Sequence, residues 1–245
     1  MKTDELEYSS DVEVELVSHH GTDLGIAKAA WVSTLGSNSS PEDLHTPEEL
    51  ESKLNGLIGF LIKNRHGTPF EHNSMTFRVS APLFVWREHH RHRVGFSYNE
   101  ESGRYKKLDP KFYIPAPDRA LIQQGKPGHY EYVAGTDHQY DFVVNSVKAS
   151  VKEAYWRYEA MLGIGIAREV ARIALPLNTY STCYVTCNAR SLMSFLALRT
   201  KSEDSYFPSY PQREIEMVAE KYEKIFAEKF PITYKKFNEA GRVSP

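Results

Sequence analysis

The feature that most constrains this chain is one long apolar pattern with helical spacing. Its members are Tyr140, Val144, Val147, Val151, Ala154, Tyr155 and Tyr158. Residues three or four apart share one face of a helix, so the pattern predicts a helix of roughly five turns with one buried stripe. Such a stripe is stable only against a second layer, and the rest of the chain must supply that layer.

Two segments with a different period predict strands for the second layer. Residues 12–17 and 75–79 alternate apolar with polar side chains, which is typical of half-buried strands. Thr46-Pro47-Glu48-Glu49 combines a cap, a proline at the first helical position and a capping-box glutamate. Helices are predicted at 23–34, 46–64, 82–93, 167–173, 188–199 and 215–226, a short strand near 112–115, and irregular chain at 36–41 and 115–135. The chain is therefore expected to be an α+β protein with more helix than strand.

Length and composition predict one globular domain. The 245 residues are 41% hydrophobic and 25% charged, with neither an internal repeat nor a linker-like stretch. We expect a single domain over 1–245, with flexible ends at 1–10 and 238–245. The net charge of −2 argues against broad nucleic-acid binding, which needs a basic surface.

The cysteines and the N-terminus indicate a cytoplasmic protein. The two cysteines, Cys183 and Cys187, form no disulfide framework and are expected to be buried packing residues. The acidic N-terminal sequence lacks the apolar run of a signal peptide, and no stretch approaches the ~20 apolar residues of a membrane span. We therefore expect a cytoplasmic chain with no membrane partner.

The densest polar cluster lies between Arg87 and Arg104, where four arginines and three histidines occur. Guanidinium groups match phosphate bidentately, and Gly103 allows close approach of a ligand to the backbone. Composition alone favours a solvated helix face for this run. A zinc site from histidines such as His89, His92, His66 and His72 is disfavoured, since there is no cysteine pair or HExxH pattern and the arginines would repel a cation. No metal is expected.

Three blocks of this sequence resemble the flavin-dependent thymidylate synthase family. The first is Arg91-His92-Arg93 followed by Ser102-Gly103-Arg104-Tyr105, and the second is the turn from His66 to His72. The third runs from Arg172 to Asn178 and continues through 188–192 to Arg199. The resemblance covers roughly residues 29–237, nearly the whole chain. It implies a mainly antiparallel sheet flanked by long helices.

The family resemblance also implies the reaction and its cofactors. dUMP would be methylated reductively to dTMP, with 5,10-methylenetetrahydrofolate as carbon donor and FADH2, regenerated by NADPH, as hydride source. The partners implied are dUMP and further copies of the chain, as a homotetramer with active sites between subunits. No Gly-x-Gly-x-x-Gly fingerprint is present, so FAD binding by a Rossmann unit is not expected.

The resemblance assigns the flavin contacts to one group of residues. They are Ser33, His66, Thr68, Arg91, His92, Arg93, Asn99, Glu100, Asn188, Arg190 and Ser194. Without the family, helix-end packing would explain His66 and Thr68 equally well.

The dUMP contacts implied by the resemblance form a second group. They are Glu88, His90, Arg91, Glu100, Glu101, Ser102, Gly103, Arg104, Arg172 and Arg199. Arg199 matches the catalytic arginine, whose charge would enrich the uracil ring at C5 by stabilising negative charge on it. Without the family, a surface salt bridge would explain Arg172 and Arg199. Ser102 is expected to be a ligand-binding hydroxyl rather than a nucleophile, because no base-and-orienter pair accompanies it.

Five features depart from the family pattern. The spacer from Arg93 to Ser102 is one residue longer than usual, and the extra residue is placed around Gly95. Glu88 replaces a glutamine, so that it either pairs with a local arginine or changes the phosphate contact. Ser194 replaces an asparagine and Tyr210 a histidine, and 201–209 is an insertion.

The alternative functions are a non-catalytic nucleotide- or RNA-binding protein and a flavin enzyme acting on another pyrimidine.

Overall fold

The computed structural model describes residues 5–36, 46–126 and 129–245. The helices are α1 Asp23–Leu35, α2 Pro47–Lys63, α3 Leu83–His89, α4 Asp137–Gly163, α5 Arg168–Ala171, α6 Ala189–Arg199, α7 Arg213–Lys229 and α8 Pro231–Glu239. The strands are β1 Glu7–Ser9, β2 Glu13–His20, β3 Ser74–Pro82, β4 Phe96–Glu100, β5 Lys111–Tyr113, β6 Ile122–Lys126, β7 His129–Val133 and β8 Tyr180–Cys187. Short 3₁₀ turns lie at Thr68–Glu71 and Arg172–Ala174.

Helix starts follow the local sequence signals. At α2, Thr46 Oγ1 accepts from the backbone N–H of Glu49, whose carboxylate accepts from the N–H of Thr46 at 2.9 Å. This capping box confirms the predicted start of α2. At α6, the Asn188 side chain accepts from the N–H of Ser191 at 2.8 Å. An N-cap therefore fixes the beginning of the helix that ends at Arg199.

The largest sheet contains four strands in the order β2-β3-β8-β4. β2 pairs antiparallel with β3 and β4 pairs antiparallel with β8. Met75, Phe77 and Val79 of β3 are fully buried, as the alternation predicts. In addition, β1 pairs parallel with β5, and β6 forms an antiparallel hairpin with β7.

The described residues pack as two compact units. One comprises the described parts of 1–12, 81–86 and 101–181, and we call it the α4 unit. Its core consists of Phe112, Val151, Tyr155, Tyr158 and Ala171. Three of these belong to the predicted stripe, whose helix is 27 residues long. The long helix therefore buries its stripe within this unit.

The other unit comprises the described parts of 13–80, 87–100 and 182–245, and we call it the α6 unit. Its core contains fully buried side chains from the sheet and from α6 and α7, including Phe77, Phe195, Tyr222 and Phe226. Asp23 at the start of α1 accepts from the N–H groups of Ile232 and Thr233, each at 2.9 Å. This carboxylate caps the first turn of α8 and ties the two helices together.

The structure corrects several predicted elements. The helix expected at 82–93 ends at His89, because the backbone tightens there and the N–H of His92 bonds the carbonyl of His89 at 3.0 Å. The segment 115–135, expected to be irregular, contains the β6–β7 hairpin. The helix expected at 167–173 is a single α-turn followed by the 3₁₀ turn. β4, β8 and α8 were not predicted, and most of the expected loop 36–41 lies outside the described residues.

The last residues of the chain make specific contacts. Arg242 is 5% exposed and pairs with Glu223 at 2.6 Å, and its guanidinium also donates to Thr200 Oγ1. Arg65 donates to the carbonyl of Ser244. These contacts argue against a freely moving end at 238–245. Among helices within 5–36, 46–126 and 129–245, none combines the length and apolarity required for a membrane span.

Candidate active site

The Arg/His segment lies between α3 and β4 of the α6 unit. After α3 ends, residues 90–95 form a turn in which Gly95 has a φ of +69°. A Cβ at this position would collide with the Ser191 hydroxyl, so both backbone conformation and space favour glycine. This is the position at which the longer spacer was expected to place its extra residue.

Arg199 is held by two residues near the end of α3, Glu88 in its last turn and His92 just after it. Its Nη1 lies 2.6 Å from Glu88 Oε2, and its Nε donates to His92 Nε2 at 3.0 Å. The Arg199 side chain is 19% exposed and that of Glu88 is 28% exposed. Glu88 therefore pairs with an arginine, although with one 111 positions away and not with one of the neighbouring Arg/His segment.

The electrostatics of this cluster follow from burial and from the arginine. Burial and the Arg199 charge lower the pKa of His92 to about 4, so its ring is neutral at pH 7. The geometry requires a neutral ring, because His92 Nε2 accepts the hydrogen bond that Arg199 Nε–H donates. The ring proton of His92 then resides on Nδ1. Burial raises the pKa of Glu88, while Arg199 opposes that shift.

A second network, of hydrogen bonds around His89, supports the same turn. His89 is fully buried; its Nδ1 lies 3.1 Å from the Tyr98 hydroxyl and its Nε2 lies 3.1 Å from the Tyr222 hydroxyl. The Tyr98 hydroxyl also lies 2.7 Å from the carbonyl of His92. Burial lowers the pKa of His89 to about 3, so this ring is neutral as well. The network connects β4 and α7 to the backbone of the Arg91-His92-Arg93 triplet.

Most of the residues predicted to contact flavin lie on the surface of the α6 unit. Ser33, His66, Thr68, Arg91, Arg93, Asn99 and Ser194 are exposed, and His92 and Glu100 are partly buried. Asn188 caps α6. The Arg190 guanidinium binds Glu71 at 2.6 Å and the carbonyl of Pro245 at 2.7 Å. His66 packs edge-on against Phe60 with ring centroids 5.6 Å apart.

The donor set of the triplet fits an anionic cofactor. Arg91 and Arg93 are exposed, and neither occurs among the ion pairs of the described residues, in contrast to Arg190 and Arg199. Their guanidinium groups therefore keep their donors available for a diphosphate group of a flavin nucleotide. The exposed guanidinium groups and the neutral ring of His92 are compatible with such a ligand.

The predicted substrate residues of the α4 unit form a separate group. Arg104 Nε binds Glu169 Oε2 at 2.8 Å, and the Ser102 hydroxyl accepts from the Arg104 N–H at 3.3 Å. A Cβ on Gly103 would lie 3.2 Å from Arg172 Cδ, so the absence of a side chain lets Arg172 approach the backbone there. Glu101 pairs with Lys106 at 3.0 Å.

The hydroxyl of Ser102 has no activating partner. Among the described residues, no histidine or carboxylate accepts its proton, and its one hydrogen bond is the local turn to Arg104. A serine nucleophile needs an adjacent general base, so a ligand-binding hydroxyl remains the better interpretation.

Neither cysteine has the environment of a nucleophile. Both are free and buried in β8. Burial raises the pKa of Cys183 to about 12 and raises that of Cys187 further. Thiols of this kind stay protonated at neutral pH. Within the part of the chain that the structure describes, no group of three or more His, Cys, Asp or Glu residues is arranged to hold a metal.

Sequence reasoning missed the residues that hold the site in place. Tyr98 and Tyr222 anchor His89, and Glu169 pairs with Arg104, but none was singled out. Tyr222 was visible only as a member of the apolar stripe of α7. Its hydroxyl meets a residue 133 positions away, and no local pattern could have shown this contact.

One family model and several known proteins match this chain. A family model described as thymidylate synthase complementing protein matches residues 15–232. The flavin-dependent thymidylate synthase of Streptomyces avermitilis is 53% identical over 97% of this chain and 95% of its own. That of Tropheryma whipplei is 51% identical over 97% of both chains. The crystal structure of a UMP/dUMP methylase, PolB from Streptomyces cacaoi, bound with 5-Br dUMP is 48% identical, has a TM-score of 0.91 and matches 98% of this chain and 100% of that chain.

The chain belongs to the flavin-dependent thymidylate synthase family. The predicted family, the α+β fold class and the prediction of a flavin-dependent thymidylate-forming methyltransferase are confirmed. The prediction of a non-catalytic nucleotide- or RNA-binding protein was the weaker alternative and has no support in these relatives.

Proposed function

We propose that this enzyme methylates dUMP to dTMP, with 5,10-methylenetetrahydrofolate as carbon donor and FADH2, regenerated by NADPH, as hydride source. The name of the PolB structure supports dUMP as substrate, since it describes that relative as bound with 5-Br dUMP. Bound FAD would supply the hydride chemistry, while the residues of this chain position the substrate and stabilise charge.

The observation that carries the proposal is the state of Arg199. Its side chain is 19% exposed, and its guanidinium is oriented by Glu88 and His92. A preorganised cation of this kind stabilises negative charge on a uracil carbonyl and so makes C5 more nucleophilic. No cysteine nucleophile is needed for this form of activation, in agreement with the protonated thiols of β8.

The site residues follow the same proposal. The flavin would contact Ser33, His66, Thr68, Arg91, His92, Arg93, Asn99, Glu100, Asn188, Arg190 and Ser194. The substrate would contact Glu88, His90, Arg91, Glu100, Glu101, Ser102, Gly103, Arg104, Arg172 and Arg199. Arg91→Ala should reduce the fraction of protein that retains FAD, because it removes one of the unpaired donors, and the absorbance near 450 nm measures this fraction.

We also propose a homotetramer with active sites between subunits, in the cytoplasm. Support comes from exposed apolar side chains in the α4 unit, among them Phe142, Trp156, Ile164, Val170, Ile173 and Leu177. Large exposed apolar patches are typical of association sites. The two free cysteines agree with a reducing compartment. Sedimentation velocity would test the assembly, and a monomer at micromolar concentration would contradict it.

Tritium release from C5-labelled dUMP tests the proposed reaction. Release should require FAD, NADPH and methylenetetrahydrofolate together, and omission of any one should abolish it. UMP must be tested alongside, because PolB is named a UMP/dUMP methylase. Faster release from UMP than from dUMP would favour an enzyme for another pyrimidine nucleotide. No release from either substrate would refute the proposal.

A further inference from the structure

A cavity of about 580 Å³ lies in the α6 unit, among residues that the proposed function does not use. Its walls come from the end of α2, from α8 and from the insertion at 201–209. None of the residues lining it belongs to the proposed flavin or dUMP contacts. The volume falls in the range of roughly 300–1,000 Å³ that small-molecule sites occupy.

The charge of the cavity is positive. Its lining contains Lys63, Arg65 and Lys236 against one carboxylate, Glu239. Lys63 is exposed and forms no ion pair with another described residue. Lys236 is paired with Glu239 at 2.7 Å, and because the Glu239 side chain is 50% exposed, an incoming anion can replace it. The chain as a whole carries a charge of −2, so this local excess of cations is distinctive.

Two aromatic side chains stand at the same cavity. Tyr206 is 75% exposed and Phe207 is 64% exposed, and their rings meet edge-on with centroids 4.7 Å apart. The Tyr206 N–H donates to the carbonyl of Gly241 at 2.9 Å, so the insertion is fastened beside α8. Exposed aromatic faces next to cations are the combination that stacks planar rings bearing negative charge.

From these observations we infer that the cavity binds a planar ring system carrying two or more phosphate or carboxylate groups. The cations would hold the anionic groups, and Tyr206 and Phe207 would contact the ring. The two sources of this chemistry are a phosphorylated nicotinamide nucleotide and a folate. The choice of these two compounds rests on the proposed function, whereas the site itself does not.

Titration calorimetry on the FAD-loaded enzyme, saturated with dUMP, tests the inference with NADP⁺ and folic acid as probes. Lys63→Glu and Lys236→Glu should each weaken binding of one probe by about tenfold or more, because a cation is replaced by an anion. Loss for NADP⁺ assigns a phosphate ligand, and loss for folic acid assigns a carboxylate ligand. Unchanged affinity for both probes, or no binding of either, overturns the inference.

Three further variants separate binding from damage to the fold. Lys235→Glu makes the same charge change at the neighbouring position of α8, outside the cavity, and should leave the affinity unchanged. Phe207→Ala removes a largely exposed ring and should weaken binding about threefold. Glu239→Gln should tighten binding, a direction that misfolding cannot produce. Probe binding without any tritium release would contradict the proposed function but not this site.

Discussion

Arg199 and Arg104 are both proposed substrate contacts, and the two compact units hold them in opposite ways. Arg199 is 19% exposed and is fixed by Glu88 and by the neutral ring of His92. Arg104 is 55% exposed and is held by one ion pair with Glu169, itself half exposed. Burial strengthens the electrostatic interactions of a charged side chain and limits its movement. An exposed charge is screened by solvent, and its side chain is mobile. We conclude that Arg199 suits catalysis and Arg104 suits capture of the substrate.

Among these predictions, replacement of Arg199 should have the largest effect on activity. Arg199→Ala should lower kcat/KM for dUMP by about 10²–10³, because a preorganised donor to the developing charge is lost. The protein should still be purified yellow. Steady-state tritium release together with the flavin spectrum measures both effects, and undiminished turnover would refute the catalytic role.

The pH dependence of stability tests the buried histidines that lie beside Arg199 and its turn. The pKa of His89 is about 3 in the folded chain, against 6.5 for an unperturbed histidine. Between these values the unfolded chain binds a proton that the folded chain does not, so stability falls as the pH falls from 6.5 toward 3. The slope should approach 1.4 kcal/mol per pH unit for this residue, at about 25 °C. His92, with a pKa of about 4, acts in the same direction.

Urea unfolding at pH 7 and pH 5 measures that slope. His89→Gln should flatten it, while His138→Gln, on the exposed surface of α4, should leave it as in the parent chain. An equal slope in the parent and in His89→Gln would show that another group dominates the acid sensitivity.

Replacing Arg104 tests the exposed member of the pair. Arg104→Ala should raise KM for dUMP about tenfold with little change in kcat, since it removes binding that the ground state and the transition state share. The free energy of unfolding should change by less than about 0.5 kcal/mol, because an exposed ion pair contributes little to stability. Glu169→Gln is the matched control and should alter neither stability nor kcat. A collapse of kcat in Arg104→Ala would remove the distinction between the two arginines.

The smallest expected effect comes from the partner of Arg199. Glu88→Gln keeps a hydrogen-bonding side chain but removes a negative charge that competes with dUMP for the guanidinium. Binding of dUMP should tighten about threefold. Equilibrium titration of the flavin absorbance with dUMP measures it. Weaker binding in this variant would mean that a glutamine amide cannot replace the Glu88 carboxylate in orienting Arg199.

Local signals predicted the elements whose cause is local. The capping box at Thr46, the alternation at 75–79 and the stripe of α4 each depend on residues within one element, and the structure bears them out. Strands β4 and β8 were missed, because they pair with each other across a long stretch of chain and their stability does not come from their own pattern. The hairpin β6–β7 pairs adjacent segments, and it was missed because the Pro- and Gly-rich sequence of 115–135 favoured irregular chain. The extent of α3 was overestimated, since the carbonyl of His89 at its end accepts from the hydroxyl of Tyr98, a contact that the pattern of 82–93 does not contain.

By itself, the sequence determined the family and the chemical types of the site, because motifs such as Arg91-His92-Arg93 and Ser102-Gly103-Arg104 are contiguous along the chain. Only the tertiary structure decided which partners each charge has. It pairs Glu88 with Arg199 across 111 positions, and it joins His89 to Tyr222 across 133 positions. The pKa values of His89 and His92 depend on burial and on such neighbours, which are properties of packing that no local pattern contains.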